Sequence, residues 1–350
     1  MTWTSGKPGW IASWSRWPTA QTLWPRSRPM STRSSPAPFL RWHGLSSEAV
    51  AYRARRKPSV PIEMPDLTDH AAVARWRAET NALWGEEDDP AVPHRREVIG
   101  GVACLVAGPP PDVGAPRGES VPADVAAPSG AGVPVVVYAH GGGYVLGSAA
   151  VAIPITARLG RTLRVVSVDY RQPPEHPFPA ALDDILAVYA ALAAGDTPVA
   201  LAGDSAGGAL ALSTAVTAAV QGQRPVAVAL FSPLLDHVAV PGNPLADDKG
   251  HRLIDHYAGE ADPADPRLSP LRAELGGLPP VLVQAAADEP LAVQAVELHR
   301  RATAAGVDVT LDLWEHMWHT WHYHDLPEAD QALAEAAAFL AAPFSSSGGT

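Results

Sequence analysis

The chain has 350 residues, 47% of them hydrophobic, and a net charge of −11. That apolar content supports a large core and excludes a disordered or fibrous chain. The acidic balance, with no basic face in the body of the chain, argues against a general nucleic-acid binder. The single cysteine, Cys104, rules out an intrachain disulfide; within the apolar run Gly101–Ala107 it reads as a buried spectator and not as a nucleophile. No run reaches the roughly 18 apolar residues of a membrane-spanning helix, so no stable membrane insertion is expected and a cytoplasmic location is.

Residues 1–44 differ from the rest. They carry six basic and no acidic residues, a charge of +6 against −17 for the remainder, and six of the eleven tryptophans. No apolar core follows the basic start, as a secretory signal would need. Prolines at 8, 18, 25, 29, 36 and 38 forbid the continuous amphipathic helix that a membrane-surface anchor would use. The segment is expected to be a disordered leader, with Met30 as an alternative downstream start. From residue 45 to about 87 the pattern turns helical, with Ser46-Ser47-Glu48 able to cap one helix and Asp69–Ala78 reading as a second. Residues 109–132 form a Pro/Gly/Ala-rich loop.

A regular alternation follows. Val133–Ala139, Arg164–Asp169, Val199–Ala202, Val226–Phe231, Val281–Ala287 and Val307–Trp314 are short apolar runs, mostly separated by alanine-rich, helix-length segments. Such strands predict a mostly parallel central sheet buried on both faces and flanked by helices, an α/β class. The last run alternates apolar with polar residues, which predicts a half-exposed strand near the sheet edge. Residues 343–350 read as a flexible tail.

Two glycine-rich turns carry the chemistry. Gly203-Asp204-Ser205-Ala206-Gly207-Gly208 follows a predicted strand and opens a predicted helix, Ala209–Val220. That is the setting of a nucleophile elbow, where flanking glycines leave room beside a strained serine and the helix N-terminus presents its positive dipole. His140-Gly141-Gly142-Gly143-Tyr144 follows the strand Val133–Ala139. Its Gly142 and Gly143 N–H groups, with that of Ala206, can receive the negative charge that acyl transfer places on a carbonyl oxygen. A phosphate loop would need Gly-Lys-Ser/Thr, which is absent. The triad partners must follow as acid and then histidine. Asp288, at the end of the Val281–Ala287 strand, is the expected acid, with Glu289 as its competitor. His319 is the expected base, with His316, His322 and His324 close by. The histidine cluster lacks the helical spacing of a metal site, and neither metal nor cofactor is expected.

These motifs resemble the hormone-sensitive-lipase-like esterases, the bacterial group IV carboxylesterases of the α/β-hydrolase fold. The resemblance spans about residues 95–342, and weakly the helices from 45. It rests on His-Gly-Gly-Gly, on Asp169-Tyr170-Arg171-Gln172-Pro173-Pro174-Glu175-His176-Pro177-Phe178-Pro179-Ala180-Ala181, on the Gly-Asp-Ser-Ala-Gly-Gly elbow, on Asp265-Pro266-Arg267-Leu268-Ser269-Pro270-Leu271 and on Met317-Trp318-His319. It implies a single α/β-hydrolase domain over 45–342, with a small helical cap from about 45–90 and 236–262. It also implies a serine carboxylesterase working through Ser205, Asp288 and His319, with Gly142, Gly143 and Ala206 as the oxyanion hole. The implied substrates are short- to medium-chain acyl esters or lactones, and the implied partner is that small molecule, with a homodimer compatible. His176 is implied to be a packing residue, and Trp314, Trp318 and Trp321 to be core or pocket-wall aromatics.

Three departures stand out. Gln172-Pro173 replaces the usual Leu-Ala. Ala287-Asp288-Glu289-Pro290-Leu291 stands where many relatives have Gly-x-Asp-Pro-Leu. The stretch between Asp236 and Asp265 is short, which predicts a reduced cap and a more open pocket. Competing readings are an acyltransferase or deacetylase of a specialised natural product, and a non-catalytic ligand-binding relative. The intact triad argues against the latter. Activity of the esterase should rise with pH as His319 loses its proton.

Overall fold

In the computed structural model the described residues are 39–55, 64–84, 92–109, 133–195, 198–238 and 248–345. Nine strands form one sheet: β1 (Phe39–His43), β2 (His94–Ile99), β3 (Val102–Ala107), β4 (Val135–Ala139), β5 (Arg164–Val168), β6 (Val199–Asp204), β7 (Val228–Phe231), β8 (Val281–Ala286) and β9 (Val309–Trp314). Their order is β1-β9-β8-β7-β6-β4-β5-β3-β2. Every pairing is parallel except β2 with β3 and β3 with β5. The α/β-hydrolase architecture expected from the sequence is thus present.

The helices are α1 (Ser47–Arg55), α2 (His70–Trp84), α3 (Ile153–Gly160), α4 (Ala180–Ala193), α5 (Ala206–Val220), α6 (Asp248–Ala258), α7 (Ala292–Ala304) and α8 (Pro327–Ser345). Strand alternation divides them between the two faces of the sheet. Val135, Val137, Val199 and Leu201 pack with residues of α4, α5 and α7. Val136, Tyr138, Ala200 and Ala202 pack with α3 and α8. Both faces are therefore dry, which is why the central strands read as unbroken apolar runs.

The structure corrects the sequence reading at both sheet edges. Phe39–His43, placed in the leader, is strand β1, paired in parallel with β9 from Phe39↔Thr310 to His43↔Trp314. Consequently β9 is an interior strand, and its polar Asp312 is fully buried. At the other edge β2 and β3 form an antiparallel hairpin around Gly100-Gly101. Both glycines have positive φ, +60° and +82°, as a two-residue hairpin turn of this hand requires. Residues 343–345, placed in the tail, extend α8. The rest of the leader, residues 1–38, the Pro/Gly/Ala-rich stretch from 110 to 132, and residues 346–350 lie outside the described residues.

Candidate active site

Strands β4 and β6 are neighbours, paired from Val135↔Val199 to Ala139↔Gly203. The chain leaves β4 toward β5 on one side, whereas β6 leads to β7 on the other. A crevice at such a topological switch point is where open α/β sheets place their ligands. The two glycine-rich turns emerge there side by side.

At the end of β6 the chain turns directly into α5, and Ser205 takes φ 51° and ψ −119°, a strained conformation for a residue with a side chain. Ser205 N donates to Phe231 O and Leu234 N donates to Ser205 O, so the next crossover holds the strained residue in place. The flanking glycines are sterically required: a Cβ on Gly207 would lie 2.0 Å from Ala139 O, and one on Gly203 would lie 2.3 Å from Gly207 O. The Ser205 hydroxyl makes no capping bond to the helix. It lies instead 3.0 Å from His319 Nε2.

The structure does not join Asp288 to that histidine. His319 Nδ1 lies 2.7 Å from Glu289 Oε2, whereas Asp288 Oδ2 lies 3.2 Å from His316 Nδ1. The reason is the turn that ends β8. Glu289 N donates to Ala286 O, so residues 286–289 form a tight turn with Asp288 at its tip and Glu289 folded back. Glu289 is 4% exposed, and its Oε1 accepts the N–H of Ala286 at 3.0 Å. One oxygen is thus tethered to the backbone while the other meets the imidazole. Of the two adjacent carboxylates it is therefore Glu289, and not the expected Asp288, that the structure brings to His319.

The other histidines are committed elsewhere. His322 is fully buried with Nε2 3.2 Å from Gln284 Oε1, and burial drives it well below the usual imidazole range. His324 Nδ1 lies 3.0 Å from Tyr52 OH. The loop bearing His319 has two residues at positive φ, His316 at 60° and Thr320 at 55°. Ser232 Oγ accepts the N–H of Thr320 at 3.1 Å, and Arg53 donates to His316 O at 2.7 Å. His176 is exposed, not packed as expected, whereas Trp314 and Trp321 belong to the core. Burial raises the Cys104 thiol to about 12, which suits an unreactive core residue.

Asp204 organises the His140–Gly143 turn, a role that motif reading had not assigned. Its Oδ1 accepts Gly141 N at 2.9 Å and Tyr138 OH at 2.7 Å, and Tyr323 OH lies 3.1 Å from Oδ2. Burial pushes this carboxyl up, and the donors from Tyr138, Gly141 and Tyr323 pull it back. Gly141 N being committed to Asp204, the N–H groups that follow it are those of Gly142 and Gly143. Both residues have positive φ, 111° and 61°, and a Cβ on Gly142 would stand 2.2 Å from Leu146 O.

Among the described residues one group could hold a cation: His43, Asp312 and Glu335, whose ligand atoms lie within 4.8 Å of one another. It sits at the β1–β9 edge, where Arg41 Nε already approaches Asp312 Oδ1 to 3.7 Å. It is not part of the serine site. No described helix is long and apolar enough to cross a membrane.

Comparison with known proteins finds the same fold. A family model described as the α/β-hydrolase fold matches residues 136–323. An acetyl-hydrolase of Streptomyces hygroscopicus is 38% identical over 225 residues, covering 58% of this chain and 74% of the relative. An esterase of Acinetobacter venetianus is 36% identical over 220 residues, covering 58% and 73%. Among solved structures, an esterase of the bacterial hormone-sensitive lipase family superposes with TM-score 0.67 at 31% identity, covering 85% of this chain and 96% of that one. A hormone-sensitive lipase from a metagenome library gives 0.68 at 28% identity, covering 84% and 95%.

Proposed function

This chain belongs to the α/β-hydrolase family and is similar to its hormone-sensitive-lipase-like esterases, and from that premise we propose that it is a serine carboxylesterase working through Ser205, His319 and Glu289. The observation that carries the proposal is the continuous hydrogen-bonded chain from Ser205 Oγ through both nitrogens of His319 to Glu289 Oε2, with links of 3.0 and 2.7 Å. A base must touch the hydroxyl whose proton it takes, and its far nitrogen must be held by an acceptor that fixes the tautomer.

In the proposed reaction Ser205 Oγ attacks the ester carbonyl while His319 Nε2 takes its proton. The resulting imidazolium is stabilised by the Glu289 carboxylate. The tetrahedral oxyanion is received by the N–H groups of Gly142, Gly143 and Ala206, donors that are fixed before the reaction starts. His319 then protonates the leaving alcohol oxygen, and the acyl group remains on Ser205. Water, deprotonated by the same histidine, attacks the acyl-enzyme and releases the acid.

The substrate class is short- to medium-chain acyl esters or lactones. Support for the short end comes from a relative named acetyl-hydrolase. The test is hydrolysis of p-nitrophenyl esters from acetate to decanoate by the unmodified chain and by Ser205→Ala. Cleavage of the short esters, lost by several orders of magnitude in the variant, is the expected result. Equal rates in both would remove Ser205 from the role of nucleophile. An inert unmodified chain that transfers acetyl to an alcohol acceptor would favour the acyltransferase reading.

A further inference from the structure

The oxyanion turn continues into residues 145–147, and three consecutive carbonyls there are each held by a side chain. Arg77 Nε donates to Val145 O at 2.7 Å, Gln172 Nε2 to Leu146 O at 2.8 Å and Asn81 Nδ2 to Gly147 O at 3.1 Å. Gly147 N also donates back to Asn81 Oδ1 at 2.9 Å, so the Asn81 amide grips one backbone residue through both its donor and its acceptor. Arg77 forks, reaching Pro173 O and Glu175 Oε2 as well. Arg77 and Asn81 stand one turn apart on α2, as residues four apart on a helix do.

What is held at 145–147 is transmitted to the glycines. Leu146 N donates to Gly142 O at 2.9 Å. Gly147 lies so close to the start of the turn that a Cβ there would be 2.5 Å from Gly141 O and 2.6 Å from His140 Nδ1. Leu253 of α6 adds a contact, 3.2 Å from where a Cβ on Gly143 would stand. A shift of the braced segment therefore moves the donors at Gly142 and Gly143.

We infer that Arg77, Asn81 and Gln172 are positioning residues that fix the oxyanion N–H groups, and that helix α2 of the cap is thereby part of the catalytic apparatus. The inference rests on the esterase reading above. Gln172 stands where the resembled esterases usually carry leucine. A leucine side chain has no N–H to give Leu146 O, so that arm of the brace is a feature of this chain and not of the shared motif. All three residues lie outside the chain Ser205–His319–Glu289, and their effect is carried by backbone geometry.

The test uses the full chain with Asn81→Ala, Gln172→Leu and the near-isosteric Asn81→Asp, which keeps the acceptor for Gly147 N but sets an oxygen against Gly147 O. Readouts are kcat and KM on p-nitrophenyl butyrate, the inhibition constant of a trifluoromethyl ketone that mimics the tetrahedral adduct, and thermal unfolding. For either Asn81 variant kcat should fall about tenfold to a hundredfold, the loss that misplacing oxyanion donors produces. Gln172→Leu should lose less, since one arm of three is gone. KM should stay within about twofold while ketone affinity falls in proportion to kcat/KM, because transition-state binding alone is damaged. Unchanged kcat in folded Asn81→Asp, or a rise in KM alone, overturns the inference and makes α2 a wall of the pocket. The esterase reading would instead fail through an unimpaired Ser205→Ala, so the two failures are separable.

Discussion

Glu289 reaches His319 because a tight turn folds it back and because its side chain is one methylene longer than aspartate. Its second oxygen is tied to Ala286 N, so the carboxylate is oriented before the imidazole meets it. Glu289→Gln should lower kcat on p-nitrophenyl butyrate by about 10²–10⁴-fold, since an amide no longer stabilises the imidazolium and can favour the wrong tautomer. Asp288→Asn should stay within about fivefold, its partner being the half-exposed His316 and exposed pairs contributing little. The reverse ranking would restore Asp288 as the acid. Asp204 supports a second residue-level expectation. Asp204→Ala strands Tyr138 OH, Tyr323 OH and Gly141 N, and unsatisfied buried groups cost about 1–3 kcal/mol each. Urea unfolding should show a loss of at least about 2 kcal/mol, together with reduced kcat as the oxyanion turn relaxes; unchanged stability would refute the anchoring role. The proposed nucleophile, the proposed base and the candidate glycine donors were legible because each lies in a motif whose backbone geometry the residue types dictate. The choice between Asp288 and Glu289 was not, because it depends on how one turn distributes two adjacent carboxylates. Asp204 lies inside the elbow motif, and a carboxylate next to the nucleophile that no role had absorbed was the available signal.

At the scale of elements, the central strands and the helices between them follow from apolar period and turn chemistry, whereas the edge strands escape it. β2 begins His94-Arg95-Arg96-Glu97, and charge on an edge strand is how sheets discourage pairing with other chains; it also hides the strand from a hydrophobicity reading. β1 was obscured by its surroundings, five residues at the end of a Pro-rich, basic segment. Its structural role is to cover β9, with Leu40 and Trp42 packed against the core and Glu315 N donating to His43 O at 2.9 Å. Removing residues 1–44 should therefore expose the β9 ladder and the buried Asp312. Calorimetry should show a lower Tm, and light scattering a shift toward larger species through the newly open edge. A truncated chain with the original Tm and a single small species would mean that β1 is dispensable. The same region explains why β9 looked like an edge strand in sequence: its Asp312 is polar but buried, beside Arg41 and His43 of β1.

For the whole molecule, sheet order could be anticipated only in outline, yet it is what brings the site together. The His140–Gly143 turn leaves β4 and the Ser205 elbow leaves β6, the Glu289 turn follows β8 and the His319 loop follows β9, all at the same end of parallel strands. Packing these polar turns against a dry core buries histidines that the sequence presents as ordinary. Burial lowers His140 and His237 to about 4 and His322 well below its usual range. In the unfolded chain each would titrate near about 6.5. Between those limits the unfolded state binds more protons than the folded one, so stability is present above about pH 6.5 and falls as pH is lowered toward 4. Each histidine contributes a slope of up to about 1.4 kcal/mol per pH unit within that window. Asp204 acts with the opposite sign, since burial raises it. Asp265 and Glu297, held down by Arg267 and Arg300, lose their contribution only at lower pH. Denaturant unfolding at pH 7 and pH 5 should therefore show a clear loss of stability at pH 5, with proton uptake on unfolding. His237→Gln should reduce that pH dependence by about one proton, because the longer amide reaches Tyr144 OH, the partner of His237 Nε2, without titrating. Equal unfolding free energies at the two pH values would mean that the buried histidines are not held neutral by the fold.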